Sequence, residues 1–113
     1  MSDTLFMKII RREIPANIVF EDDLCLAFRD VNPQAPTHIL VVPKQPVAML
    51  SDANSEHGPL LGHLLLTANR IAAQLGLKDG YRLVINNGAA AGQTVFHLHV
   101  HLLAGRSFSW PPG

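Results

Sequence analysis

His97, His99 and His101 alternate with Leu98, Val100 and Leu102. In an extended chain successive side chains point to opposite faces, so the three imidazoles share one face and the three apolar residues the other. The apolar set suits the core of a sheet. The opposite face then carries a row of imidazoles spaced ~6.5–7 Å apart by the strand rise. Imidazole is the side chain that serves at neutral pH as nucleophile, proton carrier or metal ligand. Three of the chain's six histidines stand in this row. A purely structural purpose is disfavoured, because aligned imidazoles repel one another once protonated.

Two chemistries compete for such a row. A His-x-His pair on a strand binds zinc when further ligands converge, and His38 or Cys25 are the candidates to complete a set. The outer two histidines lie ~13 Å apart along a straight strand, which is a poor span for one ion. The alternative is nucleophilic catalysis, in which a neutral imidazole attacks phosphorus and splits one substitution into two steps. That chemistry needs an anion pocket. The preceding segment, Asn86-Asn87-Gly88-Ala89-Ala90-Ala91-Gly92-Gln93-Thr94, offers glycines that let backbone N–H groups converge. Gln93 and Thr94 add side-chain donors there.

The elements that must position these groups are legible from periodicity. Leu5, Phe6, Ile9 and Ile10 predict a short amphipathic helix, capped by Asp3 or Thr4, with Lys8, Arg11 and Arg12 suited to its C-terminal end and Pro15 as its stop. Residues 18–21 and 24–29 read as a hairpin joined at Asp22-Asp23. Residues 32–36 form a loop, and residues 38–42 a buried strand stopped by Pro43. The clearest helix spans residues 56–75, with Leu60, Leu61, Leu64, Leu65, Ala68, Ile71, Ala72 and Leu75 as its apolar stripe. Pro59 fits its first turn and Gly76 its end. Residues 81–85 read as a strand, 86–93 as a loop, 96–103 as the histidine strand and 105–113 as an irregular tail. Short connections favour antiparallel pairing, so the expected fold class is α+β, with about five antiparallel strands and two helices.

The chain has 113 residues, which fits one domain over 1–113. Lys plus Arg equals Asp plus Glu at nine each. That balance argues against broad electrostatic binding to nucleic acid or to an anionic membrane. The single cysteine, Cys25, excludes an intrachain disulfide and points to a reducing, cytoplasmic setting. The Met1-Ser2-Asp3-Thr4 start carries no leader pattern.

The motif His97-Leu98-His99-Val100-His101-Leu102-Leu103 resembles the signature of the histidine triad family. So do the Phe6-to-Ala16 segment, Pro33-Gln34-Ala35-Pro36-Thr37-His38, Gly92-Gln93-Thr94 and the terminal Trp110-Pro111-Pro112-Gly113. The last three of these resemble the branch of histidine triad nucleotide-binding proteins. The resemblance spans nearly the whole chain. It implies an enzyme that hydrolyses purine nucleoside 5′-phosphoramidates to a nucleoside monophosphate and an amine, without metal or cofactor. It also implies a homodimer that continues one sheet across two protomers. His99 would be the nucleophile, and His101 would face the phosphate and the scissile bond. His97 would orient His99 through its main-chain carbonyl, and His38 would be a further polar partner. Gly92 N–H and the Thr94 hydroxyl would hold phosphate oxygens, with Thr94 also helping to protonate the amine. Asn86 would lie near ribose and phosphate, and Asp30 would accept from both ribose hydroxyls. Phe6, Ile9, Phe28 and Val31 would form the base slot. The chain departs from the family in carrying Thr94 where serine is usual and Ser107-Phe108-Ser109 before Trp110. The rival readings are a dinucleoside polyphosphate hydrolase, a nucleotide-binding regulatory or scaffold protein, and a metal protein.

Overall fold

Thr4 opens the first helix: its hydroxyl accepts the Met7 N–H at 3.2 Å and so satisfies one of the free N–H groups of the first turn. The structure, a computed structural model, describes residues 3–113; the Met1-Ser2 part of the leader reading lies outside them. Helix α1 spans Leu5–Ile10 and buries Phe6 and Ile9. It does not run on to Pro15. Arg12 takes a left-handed φ of 63°, and the Arg12 and Glu13 N–H groups bond back to Ile9 and Lys8 carbonyls at 3.0 and 2.9 Å. This is a Schellman termination built without glycine. The Arg12 side chain pairs with Glu21.

The sheet holds β1 (Ile18–Glu21), β2 (Cys25–Arg29), β3 (Thr37–Pro43), β4 (Arg82–Val84) and β5 (Val100–Ala104). Their order is β1-β2-β3-β5-β4, antiparallel throughout. The Asp22 carboxylate makes the β1–β2 turn by accepting the Leu24 and Cys25 N–H groups at 2.9 and 2.8 Å. The five antiparallel strands and two α-helices are the expected α+β class.

Helix α2 covers Gly58–Gln74. It begins later than periodicity suggested because Ser55–His57 forms a 3-10 turn capped by Asn54. It ends as expected: Gly76 is left-handed at φ 69°, with the Gly76 and Leu77 N–H groups returning to Ala73 and Ala72 carbonyls. Of the expected stripe, Leu64, Ala68, Ile71 and Ala72 are buried, joined by Thr67. Leu65 and Leu75 are exposed, since they lie at the margins of the contact with the sheet.

Two cores result, one on each face of the sheet. Under α2 pack Cys25, Ala27, Ile39, Val41, Leu98, Val100 and Leu102. Under α1 pack Leu26, Phe28, Leu40 and Val42 against Phe6 and Ile9. The alternation of the histidine segment therefore holds, but its extent does not. Only His101 lies within the β5 ladder. His97 and His99 precede it in irregular backbone, where the Leu98 N–H bonds to the Val47 carbonyl at 2.7 Å instead of to a strand neighbour. Likewise β4 is shorter than expected, and the loop after it contains a 3-10 turn, Ala89–Ala91. Among the described residues no helix is long and apolar enough to cross a membrane.

Candidate active site

His97 is the anchor of the row. It is 1% exposed, and its Nε2–H donates to the Pro43 carbonyl at 2.7 Å. The His97 carbonyl in turn accepts the Nδ1–H of His99 at 2.7 Å. A neutral imidazole carries one proton, so His99 presents the lone pair of Nε2. Phe6 stands edge-on to the His99 ring, 4.9 Å between centroids at 90°. The nucleophile-type nitrogen is thus fixed by one main-chain acceptor and one aromatic wall.

His38 and His101 form the second half. In the antiparallel register Leu40 lies opposite His101, which brings His38, two residues away on the same face, to the diagonal position. The backbone N–H of Gln34 donates to His38 Nδ1 at 3.0 Å. The proton of His38 therefore sits on Nε2, which donates to His101 Nδ1 at 2.9 Å, with the Asp30 carboxylate 3.5 Å from the same nitrogen. His101 must then carry its proton on Nε2, a buried atom with no partner in the protein. An orphaned donor of this kind costs free energy, about 1–3 kcal/mol. It is most readily explained by an acceptor supplied from outside the chain. All four rings are held below the ordinary imidazole range by burial. His101 goes lowest, to about 4, with burial the largest cause and the neighbouring His99 and His38 adding to it. At neutral pH all four are uncharged.

One cavity gathers most of the expected residues. Phe6, Ile9, Phe28, Asp30, Val31, Thr94, His99 and His101 line it, together with Leu5, Pro15, Ala16, Arg29, Leu40 and Val95. Phe6 and Phe28 meet edge-to-face at 5.4 Å and form its apolar end. Val31 stands at the mouth, 97% exposed. The larger surface hollow, about 660 Å³ between residues 76–82 and 105–108, contains none of the histidines; chemistry, not size, selects the site.

Other expectations are corrected. Gln93 is not a donor into the cavity. Its side chain is buried and clamps its own loop, accepting the Gly88 N–H at 2.8 Å and donating to the Ala48 and Val95 carbonyls at 2.8 and 3.1 Å. The Gly92 N–H already closes the 3-10 turn on Ala89 at 3.0 Å, so the N–H cradle read from the glycines is engaged inside the loop. Gly92 is needed for its φ of 101°. Asn86 does not line the cavity; its side chain lies against Gly92. His97 and His38 do not line the cavity, and neither was expected to: His97 reaches His99 through its carbonyl and His38 bonds to His101. Cys25, offered as a ligand for the row, belongs to the opposite face of the sheet. Sequence reasoning missed the Pro43 carbonyl and the Gln34 N–H. Both act through the main chain and leave no side-chain signal.

Residues 11–108 match the HIT domain family. An uncharacterized HIT-like protein of Synechococcus elongatus is 73% identical over 111 residues, which cover 98% of this chain and 97% of that one. Among solved structures, a HIT family hydrolase from Legionella pneumophila is 50% identical and superposes with a TM-score of 0.95 over 98% of this chain and 100% of its own. A histidine triad nucleotide-binding protein from Candida albicans is 30% identical, with a TM-score of 0.82 over 96% of this chain and 83% of its own. With the motif, the fold and these matches in agreement, the chain belongs to the HIT domain family, the histidine triad proteins.

Proposed function

We propose that the protein is a nucleotide hydrolase that cleaves the P–N bond of purine nucleoside 5′-phosphoramidates, releasing an amine and the nucleoside monophosphate. The observation that carries this reading is the bond from His99 Nδ1–H to the His97 carbonyl. It leaves a neutral, oriented Nε2 lone pair at a cavity that also holds a carboxylate and an aromatic pair. The hydrolase and nucleotide-binding descriptions of the Legionella and Candida structures support the class.

In the proposed reaction the base lies between Phe6, Ile9 and Phe28 with Val31 at its edge, and Asp30 accepts from the ribose hydroxyls. His99 Nε2 attacks the α-phosphorus in line. The positive charge that develops on the ring is eased through Nδ1–H by the His97 carbonyl. His101 Nε2–H and the Thr94 hydroxyl donate to the phosphoryl oxygens, a preorganised electrostatic effect. Asn86 and Gly92 support the loop that carries Thr94. The leaving nitrogen takes its proton through the Thr94 hydroxyl, replenished from solvent, and departs as the amine. Water then attacks the nucleotidyl-histidine and returns His99 to its free form.

The reading extends to a homodimer. Of the two sheet edges, β1 is guarded by charge, with Arg12 and Lys44 paired to Glu21. The β4 edge carries Leu83 and Val84 and is the one fit to continue the sheet. A cytoplasmic setting goes with the single reduced cysteine, Cys25.

The test is hydrolysis of adenosine phosphoramidates by wild type and His99→Ala, with intact mass after rapid quench. The expected outcome is a nucleotidyl adduct on the wild type only, and a loss of at least roughly 10²–10⁴-fold in kcat/KM for the variant. Preference for a dinucleoside polyphosphate over every phosphoramidate would transfer the assignment to that rival.

A further inference from the structure

After β5 the chain folds back along the loop that precedes β3. Gly105, at φ 94°, makes the close approach possible: a Cβ there would lie 2.8 Å from the Pro36 Cβ. The next residue, Arg106, reaches across. Its Nε–H donates to the Gln34 carbonyl at 3.1 Å, and Nη1 donates to the Ser107 carbonyl at 3.0 Å. Its guanidinium carbon lies 4.3 Å from the centre of the Phe108 ring. Arg82 closes the bracket from β4, 5.1 Å from the same ring centre and bonded to the Ser109 carbonyl at 2.9 Å. The Ser107-Phe108-Ser109 stretch, where the chain departs from its family, is thus the platform on which Arg106 rests.

Gln34 stands at a junction. Its carbonyl is held by Arg106, and its N–H donates to His38 Nδ1 at 3.0 Å. It belongs to a loop, residues 32–36, that lies outside the strands. Which nitrogen of an imidazole carries the proton is set by the bond the other nitrogen makes. An N–H aimed at Nδ1 excludes a proton there, because two donors would face each other. His38 is then protonated on Nε2, His101 accepts on Nδ1, and His101 presents Nε2–H. With Gln34 displaced, His38 is free to carry its proton on Nδ1. Its Nε2 would then accept from His101 Nδ1–H, and His101 would present a bare lone pair, which repels a phosphoryl oxygen. One main-chain N–H therefore decides whether the cavity meets a donor or an acceptor at His101.

We propose that Arg106 is a positioning residue for the hydrolysis. By holding the Gln34 carbonyl from the Phe108 platform, it keeps the Gln34 N–H on His38 and so keeps His101 in its Nε2–H form. Arg106 is not among the residues that line the cavity, so it acts through Gln34 and His38 and not on the substrate. No proton travels along the series; its members fix where each proton rests. Arg106 is exposed, and water competes for the same carbonyl. The aromatic ring and the Ser107 carbonyl hold the guanidinium in place against that competition. The consequence for turnover rests on the phosphoramidase reading, whereas the consequence for the tautomers rests on the fold alone.

The experiment compares full-length wild type with Arg106→Ala, Arg106→Lys and Phe108→Leu. Long-range ¹H–¹⁵N spectra of the imidazoles at neutral pH distinguish protonated from bare ring nitrogens, and steady-state kinetics on an adenosine phosphoramidate give kcat and KM separately. Wild type should show His38 and His101 protonated at Nε2 alone. Arg106→Ala should add the Nδ1–H form of both rings and lower kcat roughly 2–30-fold, the range in which residues away from a ligand alter its site. KM should change by less than roughly 2-fold, since no ground-state contact is lost. Arg106→Lys keeps a donor for one carbonyl but loses the planar fork, and should restore part of both readouts. Phe108→Leu should show a weaker form of the Arg106→Ala effect. A wild type with His38 protonated on Nδ1 overturns the proposal. So do wild-type tautomers in folded Arg106→Ala, with or without a fall in kcat, and so does a loss confined to KM. Should Arg106→Ala fail to fold, Arg106→Lys and Phe108→Leu decide, and wild-type tautomers in both overturn it. A wild type inactive on every phosphoramidate ends the hydrolase reading instead, and the spectra alone then judge whether Arg106 sets the His38 tautomer.

Discussion

At the scale of single residues, the site works by protonation state. Each imidazole has one nitrogen committed to a defined partner, so the free nitrogen of each is determined: a lone pair on His99 and an N–H on His101. Asp30 has a competing structural use, since its carboxylate accepts the Asn32 N–H at 2.9 Å and starts the turn after β2. The two uses are separable. If Asp30 reads the ribose, Asp30→Ala raises KM roughly 10–100-fold for ribonucleotides, the scale of a hydrogen bond to a charged group. Its discrimination against a 2′-deoxyribose substrate then collapses towards unity. A purely structural Asp30 would lower stability and leave that ratio unchanged. Competitive kinetics on the paired substrates makes the measurement.

The same burial predicts how stability depends on pH. His38, His97, His99 and His101 have depressed pKa values in the fold and ordinary ones, near ~6.5, when unfolded. Above about pH 7 neither state binds a proton at these sites, and stability is flat with respect to them. As pH falls below ~6.5 the unfolded chain takes up protons first, so stability drops until the folded rings also titrate, about 4 for His101. Asp22, drawn down to about 2 because its backbone and His63 hydrogen bonds outweigh burial, adds a separate loss below about 4. Thermal denaturation should give a lower Tm at pH 5 than at pH 7.5. The acid limb of kcat/KM should lie below the ordinary imidazole range; a limb at or above ~6.5 would contradict the neutral, buried triad.

At the scale of elements, the site depends on two opposite faces of one sheet. Leu98, Val100 and Leu102 are held under α2, and that grip aims the histidines towards α1. Leu64 is almost fully buried at the centre of the α2 contact. Leu64→Ala should cost about 2–5 kcal/mol, measured by urea denaturation, because it deletes buried methyl groups and leaves a cavity. Exposed Leu66, two residues on in the same helix, should tolerate the same change within about 0.5 kcal/mol in the single chain. The loop clamp made by Gln93 is the corresponding feature beside the histidines. It fixes the 3-10 turn and thereby the position of Thr94, although its own amide never reaches the cavity.

At the scale of the whole molecule, the exposed apolar groups suggest that one chain is not the finished assembly. Trp110 is 83% exposed in an irregular tail, and Leu66 is 69% exposed on α2. The β4 edge is only three residues long, Arg82-Leu83-Val84, two of them apolar, whereas β1 carries the Glu21 ion pairs. Pairing through β4 would give a continuous ten-stranded sheet, twice the five strands observed. Sedimentation equilibrium at micromolar concentration should return twice the 12.3 kDa chain mass. A mass of one chain would remove the dimer from the reading.

What the amino-acid order determined by itself was local and periodic. The two-residue alternation from His97 to Leu102 assigned the imidazoles to one face, the helical stripe from residue 60 to residue 75 assigned α2 a core face, although only residues 64, 68, 71 and 72 of it are buried, and Gly76 marked where that helix stops. These follow from geometry within one turn or one strand, so neighbouring residues suffice to state them. The tertiary structure alone decided which groups meet across the fold. The β3–β5 register set His38 against His101, the end of β3 supplied the Pro43 carbonyl to His97, and the turn before β3 supplied the Gln34 N–H. Main-chain donors and acceptors are the same in every residue, so no residue type announces them. They become specific only when chain reversals bring them to a particular ring. The proton positions that make this row of histidines a candidate for catalysis are consequences of that meeting.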